Sequence, residues 1–168
     1  YNEFYETRHF TAGMEEPVEV LLAENLRVPM GGRLLFVPDC LPELKVAAEI
    51  CEDIWSPEPP SISHALAGAN LVVNLSASNE LTGKDCYRKS LVEGQSARLV
   101  CGYVYASAGD GESTQDVVYS AHNMIAENGV MLAEAKRFKN QSVYAELDIQ
   151  RLNGQRRRMT TFRGDKKD

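Results

Sequence analysis

The chain has 168 residues, 43% hydrophobic and 25% charged, the ordinary usage of a globular domain with a sizeable core. A net charge of −6 argues against a general nucleic-acid binder, and the longest apolar runs fall far short of the roughly 18 residues that a membrane span needs. Cys40, Cys51, Cys86 and Cys101 are widely spaced, with no CxxC and no His pair at ligand spacing, so neither a zinc site nor a disulfide framework is expected, and free thiols fit a reducing cytosol.

The first residue is Tyr1, and the opening "YNEFYETRHF" is already dense in aromatic and charged side chains, so the chain is expected to be a portion of a longer protein. "LRVPMGGRLLFVPD" predicts a hairpin reversing at Gly31 and Gly32. "LKVAAEIC" alternates: Leu44, Val46, Ala48 and Ile50 share one face, while Lys45, Ala47, Glu49 and Cys51 share the other, a strand with Cys51 at its end. The prolines of "SPEPPSISHALAGA" stop that strand, and a Ser caps a short helix ending at Gly68. "NLVVNLSAS" has the pattern of a strand covered on both faces. A polar loop, "NELTG", leads to an amphipathic helix over residues 85–99, capped by Asp85, with Leu91 and Ala97 towards the core and the Arg and Lys residues in water.

"VCGYVYASAG" reads as another buried strand and "GDGES" as a tight corner. "DVVYSAHNMIA" and "VMLAEA" flank an Asn-Gly hairpin turn, and "SVYAELDIQRL" reads as a last strand entering a polar helix. The basic stretch "RRRMTTFRGDKK" is expected to be a solvated helix end or linker. Strands alternating with helices, plus hairpins, make a mixed-sheet α/β domain. Ligands meet such sheets at the carboxyl ends of strands, where Cys51, Ser76 to Asn79 and Ala106 to Gly109 fall.

The residues alone leave Cys51 open between a buried core thiol and a nucleophile at an exposed strand-to-turn corner. Glu49, Glu52 and Asp53 crowd it and would raise its pKa, so chemistry there needs a base and a cation. His9, His64 and His122 are possible partners, but no spacing singles one out. Neither GxSxG nor GxxxxGK[ST] is present.

Five strings occur together: "YNEFYETRHF", "AAEICEDIWSPEPPS", "ALAGANLVVNLSASNELTGK", "CGYVYASAGDGESTQDVVYSAHNMIAENG" and "QRRRMTTF". In this order, along almost the whole chain, they resemble the nitrilase-type glutaminase domain of glutamine-dependent NAD synthetases, within the carbon–nitrogen hydrolase superfamily. The resemblance implies an α/β fold, the C-terminal portion of a nitrilase-like αββα sandwich with mixed sheets. Residues 1–162 would form a partial glutaminase domain and 163–168 a polar tail or the start of a linker.

It also implies a Glu-Lys-Cys triad that attacks the side-chain amide of glutamine. Cys51 matches the nucleophile, and the backbone N–H of Glu52 would help to hold the oxyanion. The triad glutamate and lysine match positions upstream of "YNEFYE", outside this chain, which implies that the chain by itself is inactive. Glu6 matches an additional glutamate near the active centre, Tyr1 and Trp55 match aromatic walls of the glutamine pocket, and Ser78 and Lys84 match contacts to the amino and carboxylate ends of glutamine. No metal or cofactor is expected in this segment. ATP, magnesium and deamido-NAD would belong to a synthetase domain of the parent chain, which would be cytoplasmic and homo-oligomeric, with no nucleic-acid or membrane partner. A stand-alone amidase of the superfamily and a non-catalytic assembly module are the alternatives.

Overall fold

A computed structural model describes residues 9–11, 13, 16–112 and 117–162. The chain divides into two compact units, the first ending at Leu34 and the second beginning at Leu35.

In the first unit, β1 (Val18–Ala23) and β2 (Leu26–Met30) form an antiparallel hairpin. The chain reverses at Glu24 and Asn25 rather than at the expected Gly31 and Gly32. The valines explain the register, because Val20 sits opposite Val28 and fixes which side chains share a face. Gly31 instead serves a close approach. A Cβ there would lie 3.1 Å from Pro17 Cα, so the glycine lets the outgoing chain pass the incoming one.

The second unit is built on a five-stranded sheet in the order β3-β4-β5-β6-β7. These are β3 (Val46–Ile50), β4 (Leu71–Ser76), β5 (Gly102–Ser107), β6 (Met124–Glu127) and β7 (Val130–Glu134). The first three run parallel because a helix returns the chain between them: α1 (Pro60–Leu66) joins β3 to β4, and α2 (Lys84–Leu99) joins β4 to β5. β5, β6 and β7 pair antiparallel, and the β6–β7 turn places Asn128 and Gly129 at φ of 48° and 86°, the left-handed pair that a two-residue hairpin needs. A mixed sheet with helices is therefore the architecture, as the motifs implied.

Register decides what is buried. Ala47 and Glu49, Val72 and Asn74, Tyr103 and Tyr105, and Ala126 and Met124 stand side by side on one buried face. α2 covers that face with Val92 and Leu99. The other face is only partly covered among the described residues: Ile50 is 66% and Leu75 60% exposed, so the expected double cover of β4 is not seen.

Several local expectations change. α1 begins with Pro59 at the N-cap and Pro60 at the first helical position, so a proline with preset φ starts the helix where a Ser cap was expected. α2 is capped by Gly83 in a left-handed conformation, and Asp85 lies inside its first turn. Ala97 is exposed, whereas Arg88 is fully buried. Residues 142–148 form no strand: the Leu147 side chain lies on Gly102, where a Cβ would come within 2.8 Å of its Cδ1, and the Asp148 N–H donates to Glu127 on β6 at 2.7 Å, so the end of this segment packs on the sheet instead of extending it.

The polar helix that follows, α3 (Ile149–Arg158), is capped by Asp148, whose carboxylate accepts the Arg151 N–H at 2.8 Å. In the basic stretch read as solvated, Arg156 is buried, and its guanidinium donates to the carbonyls of Leu99 and Val100 at 2.7–3.1 Å. It thereby satisfies acceptors that the end of α2 leaves open.

Candidate functional site

β3, β4 and β5 are parallel and in register, so their carboxyl ends at Ile50, Ser76 and Ser107 lie along one edge of the sheet. Cys51 comes directly after β3. It is not the last strand residue, as the alternation suggested, but the first of a 3₁₀ turn over Cys51–Trp55, with φ of 48°. A left-handed backbone costs a β-carbon-bearing residue on the order of 1 kcal/mol and persists only where neighbours hold it. Here the Asp53 carboxylate accepts the Ile50 N–H at 2.7 Å, and the Asn74 side-chain amide donates to the Cys51 carbonyl at 3.3 Å. A sharp corner of this kind after a strand lifts one side chain off the sheet edge. The leading N–H groups of such a turn have no intrahelical acceptor, and that of Glu52 follows the thiol directly.

The carboxylates around Cys51 are mostly committed elsewhere. Asp53 closes the turn, and Glu49 points inward, where it accepts the Ser61 N–H at 2.9 Å and the Tyr103 hydroxyl proton. Burial, reinforced by the Glu49 charge, pushes the Tyr103 phenol well above its ordinary range, so Tyr103 stays a neutral donor. Asn74 also donates to the Tyr103 oxygen at 3.3 Å, so one buried network runs from Glu49 to the Cys51 carbonyl.

The next strand end forms a second wall. Ser78 is buried, and the Tyr105 hydroxyl lies 2.5 Å from Ser76 Oγ. Burial raises the Tyr105 pKa; the hydrogen bond to Ser76 and the charge of Arg88 pull it back, while Cys51 adds to the rise, which puts the phenol within electrostatic reach of the thiol. Lys84, the first residue of α2, donates to Asn79 Oδ1 at 2.7 Å and lies 5.3 Å from the Trp55 ring centroid. That cation–π distance ties the turn after Cys51 to the start of α2. Trp55 also packs on the core and stands 5.2 Å from Tyr87, ring to ring.

The structure thus brings Cys51, Glu52, Trp55, Ser78 and Lys84 to one end of the sheet. Tyr1 and Glu6 lie outside the described residues, as do residues 163–168. His122 has both ring nitrogens engaged, with Arg88 at 3.1 Å and Glu134 at 2.9 Å. Among the described residues no group of three or more His, Cys, Asp or Glu could hold a metal ion, and no helix is long and apolar enough to cross a membrane. Sequence pattern does not single out Asn74, Tyr105 or Arg88. Asn74 carries a signal, a lone amide inside an apolar strand run; the other two are hidden in ordinary strand and helix patterns.

Two outcomes follow for the thiols. Cys51→Gly should be more stable than Cys51→Ala by about 1 kcal/mol, because only glycine is relaxed at φ of 48°; chemical unfolding of the two variants measures this, and equal stability would remove the strain from the elbow. Cys101 is buried, and burial pushes its thiol up to about 12. At pH 8 roughly one such thiol in ten thousand is ionised, so iodoacetamide should label Cys40, Cys51 and Cys86 in the folded chain and spare Cys101. Mass spectrometry of the alkylated peptides reads the result.

With this geometry in view, comparisons place the chain among known proteins. The carbon–nitrogen hydrolase family model matches residues 3–157. The glutamine-dependent NAD(+) synthetase of Mycobacterium leprae is 42% identical over 170 residues, covering 99% of this chain and 25% of the relative. That of Homo sapiens is 29% identical over 139 residues, covering 80% of this chain and 19% of the relative. Among solved structures, a glutamine-dependent NAD(+) synthetase from Cytophaga hutchinsonii superposes with a TM-score of 0.66 at 33% identity, over 79% of this chain and 20% of the other. Saccharomyces cerevisiae Nit3, a nitrilase-superfamily member, gives a TM-score of 0.63 at 20% identity, over 79% of this chain and 47% of the other, a likeness of fold. The chain spans about a quarter of the length of the synthetases that it matches over most of its own length. The left-handed elbow at Cys51, the parallel strand ends beside it and the match over residues 3–157 agree: this chain belongs to the carbon–nitrogen hydrolase family.

Proposed function

We propose that this chain carries the nucleophile and part of the pocket of a glutaminase that supplies ammonia to the synthetase domain of a longer polypeptide, a glutamine-dependent NAD synthetase. The observation that carries the reading is Cys51 held at φ of 48° at the end of β3. Similarity to NAD synthetases over nearly the whole chain supports glutamine as the amide.

In this reaction the Cys51 thiolate adds to the side-chain amide carbon of glutamine, and the C=O electron pair moves to oxygen. The backbone N–H of Glu52 would donate to that oxyanion. Collapse of the adduct breaks the C–N bond, and a proton delivered to nitrogen lets ammonia leave. Water then adds to the glutamyl thioester, the C–S bond breaks, glutamate leaves and the free thiol is restored. The general base and the oxyanion lysine would come from the part of the family domain that precedes Tyr1. Trp55 and Tyr1 would wall the aliphatic part of glutamine, and Ser78 and Lys84 would meet its charged end, with Lys84 suited to the carboxylate. Glu6 would stand near the lysine or the substrate ammonium.

Residues 1–162 make up part of the hydrolase domain in this reading. ATP, magnesium and deamido-NAD would be bound by the separate synthetase domain, where the released ammonia is used. A cytoplasmic, oligomeric parent belongs to the same proposal.

In the intact polypeptide, Cys51→Ala should abolish NAD formation driven by glutamine and leave formation from added ammonium salt close to unchanged. Equal loss of both would remove the glutaminase assignment. The isolated 168-residue chain should release no measurable ammonia from glutamine, since loss of single triad members costs orders of magnitude. A rate within about tenfold of the intact enzyme would show that the chain supplies its own base and cation.

A further inference from the structure

We propose that Arg88 is a positioning residue that clamps the loop between β4 and α2, and so holds Ser78 where the charged end of the substrate is received. The proposal rests on the glutaminase reading above for the identity of that substrate. The contacts that support the clamp are independent of it.

Arg88 is fully buried on α2, one turn beyond Lys84. Its Nη1 donates to Glu80 Oε2 at 3.0 Å and lies 3.1 Å from His122 Nδ1. A guanidinium can only donate, so Nδ1 of His122 is the acceptor and its ring proton sits on Nε2, which faces Glu134 Oε1 at 2.9 Å. Glu134 in turn accepts from Lys89 at 2.5 Å. Glu80 lies in the middle of the loop and is held twice more: its N–H donates to the Val118 carbonyl at 2.7 Å, and Arg137 Nη1 stands 3.5 Å from its second carboxylate oxygen. Arg137 also reaches Asp85 at 3.1 Å. One buried arginine thus joins the loop, α2 and the segment before β6, while the groups around it reach β7.

A buried ion pair is a poor device for stability, since apolar residues of similar volume often serve as well or better. Arg88 also buries Nε and Nη2 without a hydrogen-bond partner among the described residues, a further cost. What the arrangement secures is geometry. The loop starts at Ser76, whose Oγ lies 2.5 Å from the Tyr105 hydroxyl, and carries the buried Ser78 two residues on. Both bonds leave the one nitrogen Nη1, so Arg88→Lys keeps a donor of the right charge but on a side chain without the fixed guanidinium plane that aims it.

The test uses the intact polypeptide with Arg88→Gln, Arg88→Lys, Glu80→Gln and the Arg88→Gln, Glu80→Gln double variant. Arg88→Gln should raise KM for glutamine roughly tenfold with kcat changed much less, and Arg88→Lys should fall between it and the parent. The double variant should be no worse than the worse single, because both act through one pair. Amide hydrogen exchange should quicken in residues 77–83 and stay unchanged in β3 to β5. An unchanged KM with unchanged exchange in the loop overturns the proposal, as does faster exchange spread evenly over the sheet. If Arg88→Gln does not fold, Arg88→Lys and Glu80→Gln carry the same comparison. If the unsubstituted protein does not hydrolyse glutamine, the functional reading falls, and the exchange pattern alone decides the clamp.

Discussion

A cysteine backbone turned into the left-handed region relaxes unless its neighbours prevent it, and much of the buried polar chemistry of this domain is arranged around that requirement at Cys51. Asp53 fixes the chain just before the turn, and Asn74 holds the carbonyl just after it. Asn74 can do so because β4 runs parallel to β3 and in register with it, which sets it beside Glu49. The parallel pairing in turn depends on α1 to return the chain, and Glu49 accepts from the first turn of that helix through Ser61. Ser61 is further held by Gln95 from α2 at 2.9 Å.

The inner face of the sheet changes character along its length. Near the amino ends of the parallel strands it is apolar, with Ala47 buried and Val72 and Tyr103 clustered with Val92 and Leu99 on α2 and Ala65 on α1. Towards the carboxyl ends it carries Glu49, Asn74, Ser76, Tyr105 and, from α2, Arg88, all buried. Hydrophobic burial supplies the stability at one end and tolerates the polar groups at the other, where nearly every atom must find a partner. The candidate site sits at the polar end because only there can hydroxyls, amides and charges be held at fixed positions out of bulk water.

How much of this is legible in the sequence depends on whether the signal is local. The Asn128–Gly129 turn, the three parallel strands and α2 follow from residue pattern, because each is set by backbone preference or by apolar spacing within a few residues. The reading of Cys51 as a nucleophile comes from the surrounding motifs, since alternation alone places it inside a strand. The caps of α1 and α2 depart from expectation because Ser61 and Asp85 are good capping types, yet Pro59 and Gly83 already provide the backbone angles. The strand expected at 142–148 does not form because alternating apolar residues describe a segment that packs side chains on a sheet as well as one paired along its edge. Arg88 is beyond reach: an arginine on a polar helix reads as solvated, and its burial depends on Glu80 and His122, eight and 34 residues away.

Arg156 gives α2 a second point of attachment. The helix has 16 residues, about 24 Å of nearly rigid rod, with Lys84 at its first position and Leu99 at its last. Arg156 engages the carbonyls of Leu99 and Val100 and lies 4.6 Å from the Phe162 ring centroid. The last described turns of the chain therefore grip the end of the rod farthest from Cys51. With Arg88 near its first turn and Arg156 at its last, the rod is pinned at both ends, so the spacing between the Lys84 position and the α3 contact is set by the length of the helix itself.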